Sequence, residues 1–151
     1  MTTHESICLE MRCESLRNSL CKIFTHFSES AALMQLSYED LCAFAKSNME
    51  KIVSTLIVVE GIHPHLRGYQ YIRAAILRAL EDPQFLDNLS MVSYPAIAEQ
   101  FHTKPACVER AIRHALTLAW EQRARSSSDV IYRTNREFLV SFTETIRLQF
   151  L

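Results

Sequence analysis

Two arginines, Arg110 and Arg113, stand three residues apart in the segment VERAIRHALTLAW. On a helix that spacing sets them on one face, a turn apart. Each guanidinium offers two parallel donors that match the O6 and N7 acceptors of guanine in the major groove of DNA. Glu109, beside them, is suited to accept from a cytosine amino group or to orient an arginine. Thr103 and Lys104 ahead of this group, and Arg123 and Arg125 behind it, suit phosphates, which position a protein on a duplex without specifying sequence. No catalytic residue is expected. The Ser126–Ser128 run with Asp129 reads as a polar loop, because nothing near it supplies an oriented base.

Such a face needs a helix anchored on its other side. Val108, Ile112, Ala115, Leu116 and Ala119 recur at helical spacing and are expected to be buried. Upstream, Pro95 suits a first helical turn, and Ile97, Ala98 and Phe101 mark a short helix ending near Phe101. The break His102-Thr103-Lys104-Pro105 separates the two, with Thr103 expected as cap and Pro105 as the start of the second helix. Short helix, tight turn and second helix make a helix-turn-helix, whose second helix enters the major groove. Ala98 is small where the helices must approach, and Val108 is apolar where the second packs back on the first. The turn carries His102 where glycine is usual. His114 is expected to pack or hydrogen-bond, and Trp120 and Tyr132 to be core.

The rest of the chain also reads as helices. A stripe of Ile7, Met11, Leu16, Leu20, Ile23, Phe24 and Phe27 predicts a helix from about Ser6 to Phe27, followed by a polar break at Ser28–Ala31. Ser37 and Asp40 have capping-box spacing and open a helix expected to run to about Glu60. Residues 61–68 form a glycine-bounded loop. His63 and His65 lie within it, but no second ligand pair accompanies them, so a turn packed on Tyr69 is expected and no metal site. A helix near Tyr69–Glu81 should bury Tyr69, Ile72, Ile76 and Leu80 and expose Arg67, Arg73 and Arg78. A short helix around Gln84–Asn88, a loop at 123–129, and a capping box at Thr134–Glu137 opening a last helix with Phe138, Phe142 and Ile146 complete the reading. No segment alternates with period two. The expected fold class is therefore all-α: a compact multi-helix domain containing a helix-turn-helix, with an N-terminal helical extension.

Composition excludes whole classes. Of 151 residues 48% are hydrophobic and 22% charged, which fits a folded soluble chain. There are 2 glycines, too few for a phosphate-cradling loop or a dinucleotide fingerprint, so no nucleotide cofactor is expected. The 5 cysteines include no C-x-x-C pair and are read as free thiols of a reducing cytoplasm. Glu5 and Glu10 stand where a signal peptide would be basic then apolar, and Leu56–Val59 is too short a run for a membrane span. The net charge of −1 hides an asymmetry: residues 1–60 hold 5 basic against 8 acidic side chains, whereas 61–151 hold 11 against 9. An acidic arm on a mildly basic body is compatible with DNA binding.

The blocks GIHPHLRGYQYIRAAI, YPAIAEQF, VERAIRHALTLAW and TNREFLVSFTETIRLQ occur in the order, and over the span Ser47–Leu151, in which the chain resembles the C-terminal effector domain of the stage 0 sporulation response regulator family. The resemblance implies an all-helical DNA-binding domain with helix 105–123 as recognition helix. It implies binding to short repeated promoter boxes as a tandem dimer, and base contacts at Glu109, Arg110 and Arg113. Cys107 replaces an arginine common in the family, so one contact is expected to be lost. Residues 1–46 are too few for the family's phosphoacceptor receiver and read as a helical extension, with 47–151 as the DNA-binding domain. The segment 121–133 is shorter than in the family, and a helix implicated there in touching RNA polymerase is expected to be missing. A repressor or competitor of cytoplasmic location follows, with double-stranded DNA as partner and no membrane. The helices of 1–46 either fold on the body or form a homodimer arm. The alternative function is a protein-interaction module, a degenerate helix-turn-helix that modulates another regulator.

Overall fold

The computed structural model describes residues 2–25 and 27–151, without the side chains of Phe27 and Ser28. Its regular structure is helical: α1 (Thr3–Ile23), α2 (Phe27–Leu33), α3 (Tyr38–Ser47), α4 (Met49–Val59), α5 (Arg67–Glu81), a π-helical turn (Leu89–Ser93), α6 (Tyr94–Gln100), α7 (Pro105–Ala124) and α8 (Asn135–Phe150). There is no strand among the described residues. The all-α class is therefore observed. By packing, the chain divides into one unit of 1–52 with 145–151 and a second of 53–144. The boundary expected at 46/47 falls at the end of α3.

In the first unit, α1 starts earlier than expected because Thr2 and Glu5 form a complete capping box. The Thr2 amide donates to Glu5 Oε2 (2.7 Å) and the Glu5 amide to Thr2 Oγ1 (3.3 Å). The bond from the Thr2 backbone, aided by the Thr2 hydroxyl, holds the Glu5 carboxyl below its usual range. Only the C-terminal half of the expected stripe is core. Leu16, Leu20 and Phe24 are buried, while Ile7 and Met11 are exposed.

The chain break also moves. Ser28–Ala31 lies inside α2, and the helix ends at Ile23 instead of Phe27. Phe24 leaves the helix and buries its ring edge-on against Phe44, 4.9 Å between centroids, while Ser30 Oγ donates to its carbonyl (2.6 Å). His26 and the side chain of Phe27, the last residue of the expected stripe, lie outside the described residues. The predicted helix 38–60 is split at Asn48, whose side-chain amide donates to the Phe44 carbonyl (2.9 Å). Such a local side-chain bond offers the backbone an alternative to continuing. At Ser37 half of the capping box forms. The Asp40 amide donates to Ser37 Oγ (3.2 Å), but the Asp40 carboxylate takes the Ser37 hydroxyl, not its amide.

The second unit is built on α5 and α7. The α7 stripe is buried throughout, and Ile72, Ala75 and Ile76 of α5 are likewise shut from water. Each such isoleucine contributes about 1.5–3 kcal/mol by burial. Gly68 lies where the backbones meet: a Cβ there would run into the Ala111 carbonyl oxygen and lie 2.6 Å from Ala115 Cβ. Leu80 is only half-buried, and Tyr71 and Ala79 take its share of the core. Arg73 and Arg78 are half-buried, not exposed. Arg73 Nε donates to Ser54 Oγ (2.8 Å) and Arg78 lies over the Phe85 ring. Residues 84–88 form turns instead of the expected short helix. The helix is displaced to the π-helical turn, capped by Asn88, whose Oδ1 accepts from the Met91 amide (3.1 Å).

The turn between α6 and α7 is closed by the Thr103 amide donating to the Ala98 carbonyl (2.9 Å). Thr103 is not the cap. Lys104 takes that position with no side-chain bond, held extended because it precedes Pro105. His102 sits at φ 52°, in the left-handed region, where a side chain costs about 1–2 kcal/mol. Glycine removes that cost but returns about 0.4–1 kcal/mol of unfolded-state entropy. His102→Gly is therefore expected to stabilise the fold by about 0.5–1 kcal/mol, read as a raised midpoint in urea.

The second capping box forms in full. The Thr134 amide donates to Glu137 Oε2 (2.9 Å) and the Glu137 amide to Thr134 Oγ1 (3.2 Å). Phe138 and Ile146 of α8 are buried, and Phe142 is half-buried with its ring stacked on Phe138.

Candidate nucleic-acid interface

The buried stripe of α7 turns the opposite side of the helix outward. Arg110, Arg113 and His114 are exposed, and Glu109 lies at the flank, half-buried. Glu109 and Arg113 form an ion pair one turn apart, Nη1 to Oε1 2.8 Å, with the arginine side chain 61% exposed. Of the two roles expected for Glu109, orienting an arginine is the one present in the free protein. An exposed pair of this kind adds only about 0.3–0.5 kcal/mol to stability, so its consequence is direction, not strength. Arg110 makes no hydrogen bond or ion pair among the described residues and stands at the middle of the outward face. His114 likewise makes no hydrogen bond among the described residues and is exposed, not buried, on the side of the helix opposite the stripe.

The phosphate candidates separate into two groups. Lys104 is exposed and Thr103 half-buried at the start of α7, close to Arg110 in the chain. Arg123 lies near the other end of the helix, about 20 Å along the axis from Arg110 at 1.5 Å per residue. There its Nη2 meets Glu60 Oε2 at 2.7 Å. Arg125 follows, exposed, just beyond the helix. From Arg125 to Thr134 there is no helix, so the segment that resemblance would fill with one is irregular and mostly exposed. Cys107 is exposed in the first turn of α7, and all 5 cysteines are free.

The structure adds residues that sequence reasoning passed over. Asn135 Nδ2 donates to the Glu109 carbonyl and to Tyr94 Oη, each at 3.1 Å, clasping the start of α8 to both helices of the helix-turn-helix. Burial pushes the Tyr94 hydroxyl up from its ordinary value, with the Asn135 bond opposing, and it stays neutral at physiological pH. Arg136 Nη1 donates to the carbonyls of Leu86 (3.0 Å) and Asp87 (2.7 Å). Together these residues line an open cleft of about 790 Å³ beside α7, whose walls include Arg113, Thr117, Trp120, Arg133 and Asp87. Tyr132 is not core: it is 60% exposed, its ring edge-on to the buried Trp120. No signal within the sequence near 132–136 pointed to these contacts, because their partners lie 26 to 50 residues away.

His63 and His65 are both exposed, with their rings stacked at 5.5 Å. Among the described residues no group of three or more metal-ligating side chains converges, and no helix is long and apolar enough to cross a membrane.

The family model described as sporulation initiation factor Spo0A C terminal matches residues 53–144, the same residues that pack as the second unit. The helix-turn-helix at 94–124, the turn at 61–66 before α5, whose second residue is Gly68, and the capped start of α8 all fall inside that match. The chain belongs to the Spo0A C-terminal family of sporulation initiation factors, DNA-binding effector domains of regulators and not a family of enzymes.

Proposed function

We propose that this chain is a sequence-specific DNA-binding transcriptional regulator that reads the major groove with α7. Arg110 and Arg113 address guanines, Glu109 sets the direction of Arg113, and Lys104, Thr103 and Arg125 hold phosphates. The observation that carries this reading is Arg110: an unpartnered guanidinium at the centre of an outward face, on a helix whose other side is fully packed. A free donor fork loses no protein contact on meeting a base. Arg123, about 20 Å along α7 from Arg110 and bonded to Glu60, takes no part. With no helix between Ala124 and Asn135, the family's polymerase-touching surface is reduced, which favours a repressor or a competitor for promoter boxes.

Residues 47–151 form the DNA-binding body in this reading and 1–46 an extension. Exposed Ile7, Leu9 and Met11 at the start of α1 favour a homodimer arm, and Met11→Glu is then expected to shift the sedimentation coefficient toward monomer.

Selection of duplexes from a random pool by the purified chain tests the function. Recovery of a guanine-containing consensus supports it; affinity unchanged on scrambling overturns the sequence-specific reading, and retention of no duplex at moderate salt overturns it in favour of a protein-interaction module. Lys104→Ala is expected to weaken selected and scrambled duplexes alike and to lower the slope of log K against log salt by about 0.9. Anisotropy titrations between 50 and 200 mM salt check this.

A further inference from the structure

We infer that Arg133 is a DNA-phosphate contact on the flank of the groove that α7 enters, with Arg136 framing the same phosphate track, and that Arg123 takes no part. The inference rests on the DNA-reading function proposed above.

Arg113, Arg133 and Arg136 line the cleft beside α7 with Glu109 and Asp87, and Arg133 and Arg136 also line an adjoining cleft with Glu137, Ser141 and Glu144. Their charges are not equally free. Arg113 is neutralised by Glu109. Arg133 has only the Ser141 hydroxyl, 3.3 Å from Nη1, and Arg136 donates to two neutral carbonyls. Neither makes an ion pair with a carboxylate among the described residues, so neither charge is given up to a protein salt bridge. Arg136 is also fixed in place by its two bonds, which lowers the entropy lost when it meets an anion.

The position of these charges is set by α7 itself. Asn135, between the two arginines, bonds the Glu109 carbonyl, so the 133–136 segment is tied to the turn of α7 that carries the base-reading side chains. A helix lying in a groove about 12 Å wide has a phosphate strand along each side. The cleft wall bearing Arg133 runs along one flank of α7, from Glu109 and Arg113 to Trp120, whose ring Tyr132 meets. Arg123, by contrast, lies about 15 Å further along the helix axis than Arg113 and is already paired. Phosphate binding there requires giving up the bond to Glu60.

The test uses the full chain, a duplex recovered by selection and its scrambled counterpart, in anisotropy titrations from 50 to 200 mM KCl. Arg133→Ala is expected to lower the salt slope by about 0.9 on both duplexes, so that the parent's affinity falls about 3.5-fold more than the variant's across that range. Arg133→Lys keeps the parent slope, and Arg123→Ala leaves it unchanged. Melting curves matching the parent's exclude unfolding as the cause. A parent slope in Arg133→Ala, alongside an Arg110→Ala variant that still loses its preference for the selected duplex, overturns this inference alone. So does a slope in Arg123→Ala as low as in Arg133→Ala. A parent chain that retains neither duplex overturns the functional reading as well.

Discussion

Gly68→Ala is expected to destabilise the second unit by about 3 kcal/mol, lowering its melting temperature by about 12–24 °C. The direction is opposite to the usual one. A glycine in a helix normally gains up to about 1 kcal/mol on becoming alanine. At Gly68 the new methyl would overlap the Ala111 carbonyl oxygen and crowd Ala115 Cβ. Neither atom is the end of a flexible side chain, so α5 and α7 must separate, and contacts around Ile72 and Ile112 are lost with them. Insertion of one methyl into a tight core costs about 1–3 kcal/mol, and a backbone obstacle places this site at the upper end. Because α7 is one of the helices displaced, affinity for the selected duplex falls too. Adding Ala115→Gly should restore little, since the carbonyl remains. Thermal melts of the three chains decide the matter; a Gly68→Ala chain as stable as the parent refutes the close approach.

Arg110→Ala is expected to leave stability within about 0.5 kcal/mol, because the side chain is exposed and unpartnered. Its effect falls on binding. Loss of a bidentate arginine–guanine pair costs about 1–3 kcal/mol, or about 5- to 150-fold in affinity, and relaxes preference at one base pair. Arg113→Ala should lose a similar amount, but with a difference that the ion pair predicts. Glu109→Gln removes the group that directs Arg113, so a double-mutant cycle between positions 109 and 113 should show coupling. Arg110 has no such partner, and a cycle between 109 and 110 should be close to additive. The measurement is affinity for selected and scrambled duplexes at fixed salt. Equal losses on both for Arg110→Ala would mean that the guanidinium meets phosphate only, and base reading by this helix would be refuted.

The same contrast explains why some features were legible in the sequence and others were not. The α7 stripe, the Pro105 start, the Thr134–Glu137 box and the all-α class rest on spacing within one or two helical turns. Local patterns of that kind are written in consecutive residues. The errors have equally local causes. At Phe24 and Asn48 the apolar period continues while the regular helix is interrupted, with the Ser30 hydroxyl on the Phe24 carbonyl and the Asn48 side-chain amide as a second donor to the Phe44 carbonyl. The left-handed turn fell on His102 instead of a glycine, and its position, not its residue type, was the usable signal.

The sequence alone therefore determined the all-α class, the span of α7 and which of its faces is dry, since burial and helical pitch select them. Tertiary structure alone decided what each outward charge is free to do. Glu60 claims Arg123 from 63 residues away, Asn135 clasps Glu109 across 26, and Arg136 reaches back 50 to Leu86. Whether a guanidinium is neutralised, pinned or free depends on which carboxylate or carbonyl packing brings within about 3 Å, and no local pattern encodes that distance.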